Sequence, residues 1–371
     1  MDWNRLFCQV AGILAVHANN QEFRALRETS LAMADSFAAD APFLHICCSH
    51  LMEKPGFYAS RKWSRVTDMK VTARFRQEFD ALRSFLSSDS NRCFPSVKNL
   101  FLNFYKDDYT DENYPDMQPG SDVMKAAFPS LAAVNCLYVA PLGRLSWGGA
   151  HCQNVPFANV FLRAPFVYLY DADVDLQSLR INFTITSQSS NIAFGDAGDT
   201  WKLRVRHMYL HRCVKPFDDD DEPVFPFAPL ERLILDTCIV SIHALSFPST
   251  VKLINTAILD APDNDNSSIK NLTLDLLSEG NHTFLEHCTG LQTLVVHHVY
   301  DTDTIYNFVT RNPMLENIRI LGMHRIFSTL NDPDLEILVQ RIVDTVRSSG
   351  RRVSLFVQYD QNTNIIDVML P

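Results

Sequence analysis

The sequence predicts an α/β chain: a short N-terminal helical module, then an irregular solenoid of repeated units with parallel strands and helical returns. Three observations predict it. An apolar triplet spaced i, i+3, i+5 recurs, proline stands just ahead of several copies, and the segments between copies carry helical periodicity. "LQTLVV" (291–296) sets the pattern with Leu291, Leu294 and Val296. "IKNLTL" (269–274) and "LENIRI" (315–320) repeat it 22 residues earlier and 24 residues later. A unit this small cannot bury its own apolar face, so it needs neighbours that share a core.

The bare triplet arises often by chance in a chain with 46% hydrophobic residues, so its surroundings carry the argument. "FPSVKNLFL" (94–102), "FPSLAAVNC" (128–136) and "NPMLENIRI" (312–320) place proline two residues before the first apolar position. "APLERLILDTC" (228–238) places it one residue before, and "FPSTVKLIN" (247–255) is a degraded copy. Proline fixes its own φ and gives no N–H to a ladder, which suits the turn before a short strand. "VTDMKV" (66–71), "LQSLRI" (176–181) and "VRHMYL" (205–210) are further candidate strands. Of the returns, "ARFRQEFDALRSFL" (73–86) spaces Phe75, Phe79, Leu82 and Leu86 along one helical face.

These residues resemble the irregular leucine-rich repeats, written L-x-x-L-x-L-x-x-N/C, over roughly residues 64–325. Cys238 after Leu235 and Cys213 after Leu210 fall on the N/C position. The resemblance implies one parallel strand per repeat. In such a strand the leucines point inward and the residues between them outward. The outward set is Asn99, Phe101 and Asn103; His207, Tyr209 and His211; Arg232, Ile234 and Asp236. It continues with Asn271, Thr273 and Asp275; Thr293, Val295 and His297; Asn317 and Arg319. Its mixture of aromatic, aliphatic and oppositely charged side chains suits a protein partner. Tyr209, Phe101 and Arg232 are the expected energetic anchors.

The two ends differ from the array (51–330). Residues 331–371 form a cap: a helix over "NDPDLEILVQRIVDTVRSSG", with Asp332 and Pro333 at its start and Gly350 at its end, then strands in "VSLFVQY" and "IIDVML". Leu335, Leu338, Val339, Ile342, Val343 and Val346 form the apolar stripe of that helix. Residues 1–50 read as helices. Leu6, Phe7, Val10, Ile13 and Leu14 mark one, and Phe23, Leu26, Met33 and Phe37 a second. The order resembles an F-box, the helical module that docks on the Skp-type adaptor of cullin–RING ubiquitin ligases. Leu6, Phe7, Val10 and Leu14 match that family's apolar positions, while Asp2-Trp3 replaces its Leu-Pro and Arg5 its acidic residue. The resemblance implies an adaptor-binding surface of Trp3, Leu6, Phe7, Val10, Leu14, Phe23 and Leu26.

Composition narrows the classes. The 33 basic and 43 acidic residues leave a net charge of −10, which repels phosphate backbones and argues against nucleic acid. Nine cysteines without a CxxC pair fit free thiols in a reducing compartment. The run from Leu6 to Ala18 lacks the positive start of a signal peptide, because Asp2 offsets Arg5. No run is long enough to span a membrane. The expected location is cytoplasmic or nuclear. Nucleotide-binding, hydrolase and zincin motifs are absent, so neither catalysis nor a cofactor is expected. "HMYLH" (207–211) puts two imidazoles on one strand face but brings no third ligand, so no metal is expected. "DDDDE" (218–222) reads as a solvated loop. The expected function is a ubiquitin-ligase substrate receptor that holds a target on its repeat sheet. The alternative is a repeat scaffold without a ubiquitin role.

Overall fold

The computed structural model describes residues 42–59, 63–87, 94–105, 121–141, 144–148, 152, 154–170, 174–182, 190–194, 203–214, 230–240, 247–258, 267–275, 279–297, 302–321, 332–360 and 363–370. It is an α/β chain dominated by parallel strands, and it divides into two compact units: Met1–Gln177 with Phe194–Leu203, and Ser178–Ala193 with Arg204–Pro371.

The first unit opens with β1 (Phe43–Cys47), α1 (Cys48–Glu53) and α2 (Pro55–Ala59). There follow β2 (Asp68–Ala73), α3 (Arg76–Ser87), β3 (Asn99–Tyr105), α4 (Ser121–Ala127) and β4 (Ala133–Val139). Then come β5 (Arg144–Gly148), β6 (Phe157–Arg163) and β7 (Phe166–Tyr170). Strands β1, β2, β3, β4 and β6 form one parallel run, while β5 pairs with β7 in a second sheet. Strand β1 lies inside the span expected to be helical. It pairs with β2 through its full length, so non-local pairing overrides the local reading there.

Strands β2, β3 and β4 begin with the same device: two successive N–H groups donate to one carbonyl of the preceding repeat. Thr67 and Asp68 donate to Pro42 O at 2.9 and 3.1 Å, Lys98 and Asn99 to Thr67 O at 2.8 and 3.1 Å. Ala132 and Ala133 donate to Lys98 O at 2.8 and 3.0 Å. Five residues ahead of β2, β3 and β4 stand Trp63, Phe94 and Phe128, all buried. Phe94 stacks between the other two at centroid distances of 6.4 and 5.8 Å. Helix α3 covers this core with Phe79, Leu82, Phe85 and Leu86. Phe75, expected on that face, precedes the helix and is 47% exposed.

The second unit takes over within β8 (Val174–Asn182), followed by β9 (Ser190–Phe194), β10 (Leu203–His211), β11 (Cys213–Val214) and β12 (Arg232–Asp236). Next are β13 (Ile239–Val240), β14 (Thr250–Ile254), β15 (Ala257–Ile258), β16 (Asn271–Asp275) and α5 (Glu279–Glu286). The chain continues through β17 (Thr293–His297), α6 (Thr302–Arg311), β18 (Asn317–Leu321), α7 (Asp332–Ser349), β19 (Val353–Asp360) and β20 (Thr363–Leu370). Strands β10, β12, β14, β16, β17, β18 and β19 pair in parallel, and β20 closes antiparallel on β19. The paired N–H device recurs: Lys270 and Asn271 on Ser249 O, Gln292 and Thr293 on Lys270 O, Glu316 and Asn317 on Gln292 O, all at 2.9 or 3.0 Å.

The chain turns from β10, β12 and β14 into the short strands β11, β13 and β15 through Arg212, Thr237 and Asn255, which have φ of 51°, 55° and 45°. The next residues, Cys213, Cys238 and Thr256, are buried and bond to carbonyls of the strands. Cys238 Sγ donates to Leu210 O at 3.3 Å, and Thr256 Oγ1 to Leu235 O at 3.1 Å. The expected N/C position holds Cys213 and Cys238, Thr256 takes the same place after Asn255, and each donates to a strand carbonyl.

Candidate protein-binding faces

Alternation along each strand sends one set of side chains to the core and leaves the other set accessible. Leu100 and Leu102, Met208 and Leu210, Leu233 and Leu235, Leu272 and Leu274, Leu294 and Val296, and Ile318 and Ile320 are all buried. The residues between them line the opposite face, in rows set by the strand register.

In the second unit one row reads His207, Arg232, Thr250, Asn271, Thr293, Asn317 and Ser354. The next reads Tyr209, Ile234, Lys252, Thr273, Val295, Arg319 and Phe356. In the third, His211 pairs with Asp236 and that with Ile254, while Asp275 pairs with His297 and that with Leu321. Asp275 departs from the expected exposure: it is only 4% exposed, because Leu274 and Asp275 are buried in succession where β16 ends. In the first unit Asn99, Phe101 and Asn103 stand between Asp68, Lys70 and Thr72 on one side and Ala133, Asn135 and Leu137 on the other. Phe101 is 37% exposed.

Trp3, Leu6, Phe7, Val10, Leu14, Phe23 and Leu26 lie outside the described residues.

The β8–β10 end of the second face is preorganised around Tyr209. Its hydroxyl donates to Asp236 Oδ2 at 3.2 Å, and its ring stacks on His211 with an interplanar angle of 3°. The Arg180 guanidinium lies 5.7 Å from the ring centroid. His211 Nδ1 in turn meets Asn182 Oδ1 at 2.9 Å. Burial, then the Asp236 carboxylate, pushes the Tyr209 phenol above its ordinary value, so it stays a neutral donor. At the far end Arg319 sits 4.9 Å over the Phe356 ring. Planar groups held this way lose little freedom on binding, which favours them as anchors.

The first face is built differently. Amides bridge neighbouring strands, with Asn99 Nδ2 donating to Asp68 Oδ1 at 2.8 Å and Asn159 Nδ2 to Asn135 Oδ1 at 2.7 Å. His45 Nε2 meets Thr72 Oγ1 at 2.9 Å, and burial, then Lys70, lowers the His45 imidazole below its ordinary value.

Sequence reasoning missed Arg180, Lys252 and Phe356. "LQSLRI", "FPSTVKLIN" and "VSLFVQY" were recognisable as strands, and the alternation applied to them would have found all three. Among the described residues, no three His, Cys, Asp or Glu side chains are grouped as a metal would require. The thiols beside histidine are packing groups: Cys288 Sγ donates to Phe284 O at 3.3 Å, and burial pushes the Cys152 thiol up to about 12. Among the described residues, no helix is long and apolar enough to cross a membrane. No family model matches the chain, and no curated protein matches it in sequence.

Proposed function

We propose that the chain is a protein-recognition subunit of a cullin–RING ubiquitin ligase. Its irregular leucine-rich repeats hold a target on the sheet face, and its F-box-like residues 1–50 hold a Skp-type adaptor. The observation that carries the recognition half is the accessible, register-aligned face of the second unit, with Tyr209 fixed at its β8–β10 end by Asp236, His211 and Arg180. Such a face offers rigid aromatic and guanidinium groups, the types that dominate protein interfaces. No bond chemistry takes place on the chain itself, and it works where such ligases work, in the cytoplasm or nucleus. The adaptor half rests on Leu6, Phe7, Val10 and Leu14 in the opening helix.

A repeat scaffold without a ubiquitin role is the rival reading. One observation favours it: a repeat strand, β1, already stands at Phe43–Cys47 within the span of the F-box resemblance.

Co-purification of the intact chain with a Skp-type adaptor tests the ubiquitin half. Adaptor should be recovered with the chain and lost with Leu6→Asp and Leu14→Asp together. An intact chain that recovers none leaves the scaffold reading. For the recognition half, Tyr209→Ala should weaken a captured target by about 2 kcal/mol. Unchanged affinity in a folded variant removes Tyr209 from the site.

A further inference from the structure

The charge on the second face runs against that of the chain. The protein carries a net charge of −10, yet the central row of this face bears Arg180, Lys252 and Arg319. Arg232 lies one row over, exposed. Among the described residues none of these cations is within salt-bridge distance of a carboxylate. Three carboxylates of these strands do not pair with the cations. Asp236 accepts from Tyr209 and from Thr237, Asp275 is buried, and Glu231 lies beside His207 at 3.8 Å.

The spacing is regular. Arg180 contacts Tyr209, and Asn182 contacts His211, so β8 places Arg180 in the row of Tyr209. From Arg180 the row crosses Tyr209 and Ile234 to Lys252, then Thr273 and Val295 to Arg319. Each cation is thus three strands from the next. At about 4.8 Å between strands, the cations stand about 14 Å apart. An extended chain advances about 3.4 Å per residue, so about four residues span that gap. The positions between the cations are uncharged: an aromatic and a branched aliphatic, then threonine and valine.

We propose that this face binds an extended acidic segment of its protein partner, laid across the strands, with carboxylates about four residues apart and uncharged side chains between them. The inference rests on the recognition role proposed above and gives the partner its chemistry. A nucleic acid fits less well. Its phosphates repeat far more closely than 14 Å, and the chain's overall charge repels them.

Fluorescence anisotropy with the full chain tests this, using a labelled peptide with Glu at every fourth position among Ser, Thr and Val. A second peptide of the same composition carries its Glu residues clustered at one end. The regular peptide should bind at low salt, at least fivefold tighter than the clustered one, and weaken as salt screens the pairs. Lys252→Glu with Arg319→Glu should lower its affinity at least tenfold. Lys252→Met with Arg319→Met, which keeps the apolar stems, should lower it several-fold with thermal unfolding unchanged. Lys70→Glu, on the first unit's face, should leave it unaltered.

No binding, equal binding of the two peptides, or tighter binding of a single-stranded RNA of equal length would overturn the proposal. A target captured through Tyr209 that competes with neither peptide would sink this inference and leave the recognition role standing. Loss of both would remove both.

Discussion

The two units use one backbone device and fill it with different chemistry. In both, paired N–H groups on a single carbonyl start three parallel strands, β2, β3 and β4 in the first and β16, β17 and β18 in the second. The position five residues ahead of the strand holds Trp63, Phe94 and Phe128 in the first unit, a stack of rings. In the second unit the same position before β17 and β18 holds Cys288 and Asn312, both buried. The Asn312 side-chain nitrogen, oriented to donate, reaches Thr289 O at 2.9 Å and Cys288 O at 3.3 Å. The rings fill volume between successive turns, whereas the thiol donates to Phe284 O of α5 and the amide to carbonyls of the turn at Cys288 and Thr289. At this position the first unit therefore relies chiefly on dispersion and burial, and the second, before β17 and β18, on directed hydrogen bonds.

The largest expected effect breaks the aromatic spine. Phe94→Ala removes the ring that touches Trp63, Phe85 and Phe128, and should destabilise the first unit by about 3–5 kcal/mol. Amide hydrogen exchange resolved by residue should show the loss over β2, β3 and β4, with β16, β17 and β18 still protected. Equal loss in both halves would mean that the two units unfold as one.

Gly290→Ala tests the turn before β17. A Cβ there would lie 2.2 Å from Ser267 O, a backbone atom that cannot swing aside. Overpacking of this kind costs about 1–3 kcal/mol, read as exchange lost over β16 and β17. Full protection in the variant would show that the turn has slack, and the contrast with the first unit would weaken.

The same difference explains what was legible in the sequence. Strands announced by Phe-Pro-Ser or Asn-Pro could be read because proline and the apolar triplet are local signals. Trp63 and Cys288 occupy the same structural position without the proline, ahead of strands that carry only the triplet. Strands β11, β13 and β15 are two residues each, too short to carry a period, and their pairing is set by the turns at Arg212, Thr237 and Asn255. On the candidate face, the residues between leucines followed from alternation. The regular spacing of Arg180, Lys252 and Arg319 did not, because it depends on which strands are neighbours, a non-local property. Asp275 failed for the opposite reason, since alternation says nothing about where a strand ends.

A smaller effect is expected from the second unit's hydrogen-bonded spine. Asn312→Ala leaves Thr289 O and Cys288 O without their side-chain donor, a loss of about 1–3 kcal/mol in denaturant unfolding of that unit. Asn312→Asp, close in size but without the donating nitrogen, should lose at least as much. A variant as stable as the parent would mean that packing alone holds this turn, as it does in the first unit.

The smallest effect concerns residues held at positive φ, which both units contain. Asn154 in the first unit and Asn255 in the second turn the chain at φ of 61° and 45°, the left-handed region that asparagine tolerates. Thr237 turns it at 55° although its branched Cβ crowds the backbone there, at a cost of about 1–2 kcal/mol. Its N–H donates to Ile254 O at 2.8 Å and its hydroxyl to Asp236 Oδ1 at 3.0 Å, so the corner is held in spite of the strain. Thr237→Asn keeps the backbone bond and relieves the crowding. It should raise the second unit's stability by about 1 kcal/mol, less whatever the half-buried hydroxyl contributes. The mirror change, Asn255→Thr, should lower it by a similar amount. If both substitutions destabilise, the hydroxyl of Thr237 outweighs the strain, and that corner is fixed by its side chain rather than tolerated by its backbone.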